Sequence, residues 1–356
     1  MDATTWVEVS REGLRANMRA VADHAGVALC AVVKANAYGH GLTETARVFA
    51  DAGATMLGVA RIEEARALRA AGIDAPVLLM MPVPDIAEAL ALGCAVTIDD
   101  VAAVEGIGAG AHVHLKVDTG NGRLGVTPKD AIAAAEAIVA RGATADGIWT
   151  HFADAAGPSS ARQLALFSSV VTAVRARGFT PLAHASNSAA VLALPGARFD
   201  MVRVGTLLYG QNPVGARAPW TLRDTFAWYA HVVSVRTLQQ GATVGYGSEW
   251  TAPRPTRVAT LPIGYADGFT NEPHARSESA REAARTAART AATLLGRAPI
   301  TRAVYFGERR APVVGRVAMQ AVTVSLEGLD DVEVGAVARI PARRLMVSSA
   351  IDRVYR

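Results

Sequence analysis

Lysine is the scarcest charged residue in this chain. Three of its 36 basic residues are lysines (Lys34, Lys116 and Lys129), and the remaining 33 are arginines. Chemistry that needs a transferable amine must draw on these few positions, because a guanidinium stays protonated and delocalised and does not condense with a carbonyl. Cysteine is scarcer still. Cys30 and Cys94 both lie in apolar surroundings, as reduced core thiols of a cytosolic protein do. No apolar run approaches bilayer length, and Met1 is followed by an acidic, polar start, so neither a membrane span nor a secretory leader is expected. The eight histidines show no paired spacing beyond His112 and His114, which belong to a strand, and no metal site is expected. The arginines are scattered without a dense basic run, so the formal charge of +4 does not imply a nucleic-acid surface.

What is present supports a large core. A chain of 356 residues with 51% hydrophobic content is long enough for two domains. Thr5 to Val9 reads as a strand and Arg11 to His24 as an amphipathic helix. Short apolar strands then alternate with Ala-rich helices. The strands fall near Leu29–Val33, Met56–Ala60, Val77–Met81, Ala95–Ile98, His112–Val117, Gly147–His151, Leu182–Ala185 and Met201–Val204. Eight strands with helices between them predict a (β/α)8 TIM-type barrel over residues 1–224, with chemistry on the loops after the strand ends. Residues 1–10 are expected to form a strand that joins a second domain. That domain, residues 225–356, reads as mostly β, with segments at Trp228–Thr237, Arg257–Pro262, Val313–Ser325 and Val334–Ile340. An Ala-rich helix near 275–295 interrupts it, with Arg281, Arg285 and Arg289 along one stripe. This pattern suits a solvated surface helix, a lid or a docking helix.

The stretch AVVKANAYGHG, Ala31 to Gly41, places Lys34 at the mouth of a buried strand. An ammonium there is costly unless it is paired or has chemistry to do, although a lysine snorkelling from a barrel rim fits the position equally well. Other positions carry similar alternatives. Arg123 in KVDTGNGRLGV is either a surface arginine or a clamp for a carboxylate or phenolate-like oxygen. His151 in WTHFADA is either a satisfied core histidine or a site residue. Asn187 and Ser188 in HASNSAA start a helix, and with the backbone of Gly205 and Thr206 they make a ready phosphate site. Tyr265 in PIGYADGF is either packed in a Gly-bounded turn or reactive.

Taken together, these motifs resemble the alanine racemase family, in the family's order and over nearly the whole chain. The resemblance implies pyridoxal 5'-phosphate (PLP) held by Lys34, and a small amino acid, alanine first, interconverted between L and D forms. Lys34 would serve one face of the substrate and Tyr265 the other, because racemisation needs two opposed bases. A phenol near pKa 10 must fall by about two to three units, roughly 3–4 kcal/mol, to work at neutral pH; His151 and Arg203 are the candidate sources. By the same resemblance, Arg203 faces the pyridine nitrogen and His184 braces it. Arg123 meets the cofactor hydroxyl and the substrate carboxylate, and Lys116 matches a lysine that is carbamylated in some members. Tyr38 and Tyr355 bond the phosphate, Tyr246 lines the route by which substrate arrives, and Met319 offers a backbone N–H to the substrate carboxylate. Tyr265 would reach the barrel of another subunit, which implies a homodimer with composite sites.

Some positions depart from the family pattern. Gln320 stands where an acidic residue is usual, Asn121 replaces a methionine and Val204 a proline, and the tail is short. These changes leave open which amino acid is preferred. Two further readings stay open beside racemisation: another PLP enzyme of this architecture, such as a decarboxylase or an aldolase, and a non-catalytic PLP-binding protein.

Overall fold

The computed structural model describes residues 3–214, 218–269 and 302–356; the helix expected near 275–295 lies outside them. Ser10–Thr225 form one compact unit. The first strand and the residues from Phe226 onward form the other.

The first unit is built on eight parallel strands. Ala28–Val32, Met56–Val59, Val77–Leu79, Cys94–Ile98, His112–Lys116, Thr144–Trp149 and Leu182–His184 pair in sequence order, and Met201–Val204 pairs back onto Ala28–Val32. Backbone bonds from Asp200 N to Ala183 O (3.0 Å) and from Arg203 N to Ser186 O (2.8 Å) span the remaining gap and bring the ring round into a nearly closed barrel. Most of these strands are buried on both faces and read as apolar Val/Leu/Ala runs. Three also carry buried basic side chains: His114 and Lys116, two apart on His112–Lys116 and so on one face, His184 on Leu182–His184 and Arg203 on Met201–Val204. The pairing of His112–Lys116 with Thr144–Trp149 slips between Val113 and His114, leaving Asp146 as an extra residue on the partner strand. Helices including Arg11–Ala25, Leu42–Asp51, Ile62–Ala70, Ala131–Ala140 and Ser160–Ala176 join the strands.

The second unit is mostly β. Its six-stranded sheet runs Arg309–Pro312, Ala303–Phe306, Val337–Ile340, Phe226–His231, Thr5–Val9, Asp352–Tyr355. Thr5–Val9 lies antiparallel to Phe226–His231 and parallel to Asp352–Tyr355, so strands from both ends of the chain share one sheet. A three-stranded sheet holds Ser234–Leu238, Thr256–Leu261 and Val322–Ser325.

Two expected segments differ here. The run Trp228–Thr237 is two strands in separate sheets: Val232 N bonds to Ala336 O and Val233 N to Thr260 O, so adjacent residues hand the backbone from one sheet to the other. Of Val313–Ser325, only Val322–Ser325 is a strand. Gly315 turns the chain with φ +71°, where a Cβ would lie 2.6 Å from Val244 O, and the loop that follows carries Met319. The hairpin Ala303–Phe306/Arg309–Pro312 and the strand Asp352–Tyr355 were not expected. Arg309–Pro312 and Asp352–Tyr355 are the sheet edges, where polar residues replace the apolar pattern that signals a strand, while Ala303–Phe306 is a short apolar strand next to the edge.

Candidate active site

A cleft of about 210 Å³ opens at the C-terminal ends of the barrel strands, lined among others by Lys34, Tyr38, Met80, His151, Asn187, Ser188, Arg203, Gly205 and Thr206.

Lys34 lies two residues past the end of strand Ala28–Val32. Ala35, Asn36, Ala37 and Tyr38 then all adopt left-handed backbone conformations, with φ between 51° and 54°. Such residues carry roughly 1–2 kcal/mol of strain each, so the turn must be held from outside. Glu64 does much of this: its Oε1 accepts from Ala35 N at 2.6 Å, while Oε2 accepts from Ala60 N (2.9 Å) and Arg61 N (3.1 Å). Asn36 Oδ1 accepts from Leu42 N at 2.9 Å. The turn delivers the Tyr38 ring to Gly205, where any Cβ would collide with the phenol oxygen. Burial pushes that phenol up to about 12. Burial, then the positive charge of Arg123, lowers the pKa of Lys34, while Glu64 works against the shift.

The opposite wall is set by helix Ser188–Ala193, which Asn187 caps by accepting from Ala190 N at 3.0 Å. Ser188 Oγ accepts from Gly205 N (3.1 Å) and Leu207 N (3.4 Å). The N–H of Gly205 is thus directed at the serine oxygen, and with both acceptor positions used the hydroxyl is left to donate.

The cationic floor rests on Trp149. Lys116 Nζ and Arg203 Cζ each lie 4.5 Å from its ring centroid, and His184 stacks on it at 5.9 Å and 8°. Cation–π contacts of this kind favour charges that have lost water. Burial, then Arg123 and Arg203, still brings Lys116 down to about 8. Burial brings Arg203 to about 10, so it remains protonated at neutral pH. Arg203 donates to Thr150 O (2.8 Å) and His184 O (2.9 Å), approaches His184 Nδ1 at 3.0 Å, and reaches His151 Nδ1 at 3.5 Å. His151 is lowered to about 3 by burial and then by Arg203, so its imidazole is neutral.

Arg203 Nε and Trp149 Nε1 are buried donors with no hydrogen-bond partner among the described residues. An unpartnered buried donor is costly, and Arg203 lines the cleft, so an acceptor bound there, such as an unprotonated ring nitrogen, would suit it. With the amine of Lys34, the Tyr38 and Ser188 hydroxyls and an excess of positive charge, the residues present fit PLP.

Arg123 is exposed on the loop after His112–Lys116. The Asp118 carboxylate holds that loop by accepting from Gly120 N (2.9 Å), Asn121 N (2.8 Å) and Gly122 N (2.9 Å). Tyr246, Tyr265, Met319 and Tyr355 belong to the second unit. There Tyr265 N bonds to Ala318 O (3.1 Å) and Ala266 N to Met319 O (3.0 Å), tying two loops together. Tyr265, Met319 and Tyr246 are all exposed, at 46%, 58% and 73%. Sequence reasoning passed over Trp149, Glu64 and Met80, and read His114 only as part of a strand. For His114 a signal existed: His112–Lys116 alternates polar and apolar where a barrel strand should be apolar throughout.

Comparison with known proteins agrees with this geometry. Residues 9–213 match the family model "Alanine racemase, N-terminal domain", and residues 225–350 match "Alanine racemase, C-terminal domain". An alanine racemase of Desulforamulus reducens is 35% identical over 353 residues, covering 94% of this chain and 89% of that protein. One from Symbiobacterium thermophilum is 35% identical over 347 residues, covering 93% and 85%. The crystal structure of alanine racemase from D-cycloserine-producing Streptomyces lavendulae superposes with a TM-score of 0.83 at 31% identity, covering 100% of this chain and 98% of that one. Alanine racemase of Clostridium difficile 630 gives a TM-score of 0.88 at 26% identity, covering 100% and 96%. With both halves of the chain accounted for by one family's two domains, the protein belongs to the alanine racemase family.

Proposed function

We propose that this chain interconverts L- and D-alanine with PLP, as a homodimer in which each active site joins one copy's barrel cleft to the other copy's Tyr265. The observation that carries the reading is Arg203, buried, charged and with Nε unpartnered among the described residues, in the same cleft as Lys34. When bound, PLP draws electrons from the amino acid's α-carbon and so acidifies its proton. A guanidinium has donors and no acceptor. Set against the ring nitrogen, Arg203 would leave that atom without a proton of its own and restrain the electron withdrawal, which would favour return of the proton to the α-carbon over competing reactions. A carboxylate at this position would do the opposite.

Lys34 attaches the cofactor and moves the proton on one face. Its lowered pKa raises the share of neutral amine at physiological pH. Tyr38 and Ser188 hold the phosphate, and Tyr265 moves the proton on the second face. Because His151 is neutral, its help to Tyr265 is a hydrogen bond, and the positive charge is supplied by Arg203. The exposure of Tyr265, Met319 and Tyr246 on the second unit suits a surface that meets another copy. Among the described residues no helix is long and apolar enough to cross a membrane, and the buried, unpaired Cys30 and Cys94 suit a reducing cytoplasm.

The test is proton exchange. Incubated with L-alanine in deuterated water, the PLP-loaded enzyme should incorporate deuterium at the α-carbon while optical rotation decays to zero; L-serine should react more slowly. Exchange with the rotation preserved would show a one-base enzyme. No exchange with any amino acid would leave a binding protein.

Lys116 adds a prediction. Carbon dioxide adds to a neutral amine, giving a carbamate and releasing a proton. With a pKa of about 8, roughly a tenth of Lys116 is neutral at pH 7, against well under a thousandth at the ordinary value near 10.4. A carbamate would present a negative charge to Arg123. With 13C-bicarbonate, a carbamate resonance should grow as pH rises from 6 to 8 and be missing in Lys116→Met. Its absence from the wild type at pH 8 would refute carbamylation.

A further inference from the structure

The reaction as assigned uses Arg203 and its brace His184, but leaves the buried imidazole beside them, His114, without a task. His114 is almost fully buried, as are His184 and Arg203. Its Nδ1 lies 2.8 Å from His184 Nε2, and His184 Nδ1 lies 3.0 Å from Arg203 NH1. We propose that His114 is a positioning residue for catalysis: it fixes which nitrogen of His184 carries the proton, and so holds the Arg203 guanidinium in the orientation it takes at the cleft. This inference rests on the racemase reading for its effect on rate, and on geometry alone for the network itself.

The proton assignments follow from donor and acceptor counting. A guanidinium cannot accept a hydrogen bond, so His184 Nδ1 must present a lone pair to Arg203. A neutral ring then bears its proton on Nε2, which points at His114 Nδ1. His114 must therefore accept there and carry its own proton on Nε2. Both rings are neutral: burial takes His114 to about 4 and His184 well below the usual histidine range. Without an acceptor at position 114, the Nε2 proton of His184 would be buried and unpaired. The ring could then shift its proton to Nδ1, set donor against donor, and push the guanidinium aside.

Two backbone features show that the fold makes room for this imidazole. The pairing of His112–Lys116 with Thr144–Trp149 skips Asp146 between Val113 and His114, and such bulges re-aim the side chains beside them. The displaced Asp146 is accounted for, its carboxylate meeting His112 Nδ1 at 2.6 Å. The residue brought opposite His114 is Gly147, where a Cβ would collide with the His114 ring. Neither feature is needed to hold a strand together.

The test uses His114→Phe, which fills the space without an acceptor, and His114→Asn, whose Oδ1 can stand in for Nδ1. In wild-type apoenzyme labelled with 15N-histidine, His184 should show a protonated Nε2 and an unprotonated Nδ1. In His114→Phe that signature should be lost. The kcat of the loaded enzyme should fall about tenfold, the loss of roughly one net hydrogen bond, with KM for alanine little changed. His114→Asn should restore both the signature and most of kcat. A wild-type His184 protonated on Nδ1 would overturn the proposal, whether or not the variants fold. So would a His114→Phe enzyme that keeps the tautomer and kcat and loses only thermal stability. Because the tautomer is read in apoenzyme, failure of this network and failure of the racemase assignment give different results.

Discussion

Replacing Lys34 with alanine should abolish the visible absorption of the bound cofactor and lower racemisation by at least about 10³-fold. The estimate combines the roughly 10²–10⁴-fold contribution of a positioned acid–base group with loss of covalent attachment. Lys116 and Lys129 cannot substitute. Lys116 is committed to the floor of the barrel against Trp149, and neither it nor Lys129 is among the residues lining the cleft. Lys34 is distinguished by its surroundings. Burial and Arg123 lower its pKa, with Glu64 as the opposing charge, so more of its amine is unprotonated near neutrality than an exposed lysine would offer. Absorbance and racemisation measured on the same preparation give the check. A Lys34→Ala enzyme that stays coloured, or keeps a tenth of its activity, would remove Lys34 from its role.

Tyr265→Phe should leave the cofactor absorption unchanged and slow racemisation by about 10²–10⁴-fold. Enantiomers interconvert with an equilibrium constant of one, so net racemisation must fall in both directions together. The asymmetry appears in exchange instead. One alanine enantiomer, whose α-proton faces Lys34, should still take up deuterium with its configuration retained, while the other should become nearly inert. The phenol is exposed on its own unit, so its loss should not disturb the fold, and an unchanged melting temperature would confirm that. Equal exchange of both enantiomers by the variant would mean that Tyr265 is not the second base.

The barrel was legible because its signal is local. Apolar strands such as Ala28–Val32 and Val77–Leu79, bounded by Ala-rich helices, announce their burial residue by residue, and the number of such strands points to a ring. The second unit was less legible because its edges are polar. Arg309–Pro312 and Asp352–Tyr355 are strands on account of what they pair with, Ala303–Phe306 and Thr5–Val9, and no short window contains that information. The switch of sheets at Val232 and Val233 was hidden for the same reason. At the site, the types and places of Lys34, Ser188 and Arg203 could be read from the chain. The acceptor role of Ser188 toward Gly205, the Trp149 platform and the task of His114 could not.

The sequence by itself determined the alternation of strand and helix, the rarity of amines and the placing of Lys34 at a strand end, since all three depend on neighbours along the chain. Only the tertiary structure decided that four consecutive non-glycine residues after Lys34 turn left-handed. That conformation is unfavourable locally, and it persists because Glu64, 29 residues away, receives the Ala35 N–H. The tertiary structure also set the charge states of the cleft. Burial lowers the pKa of Lys116, His151 and Arg203, and the positive charges of Arg203 and Arg123 lower the first two further; these conditions arise only when separate strands of the ring come together.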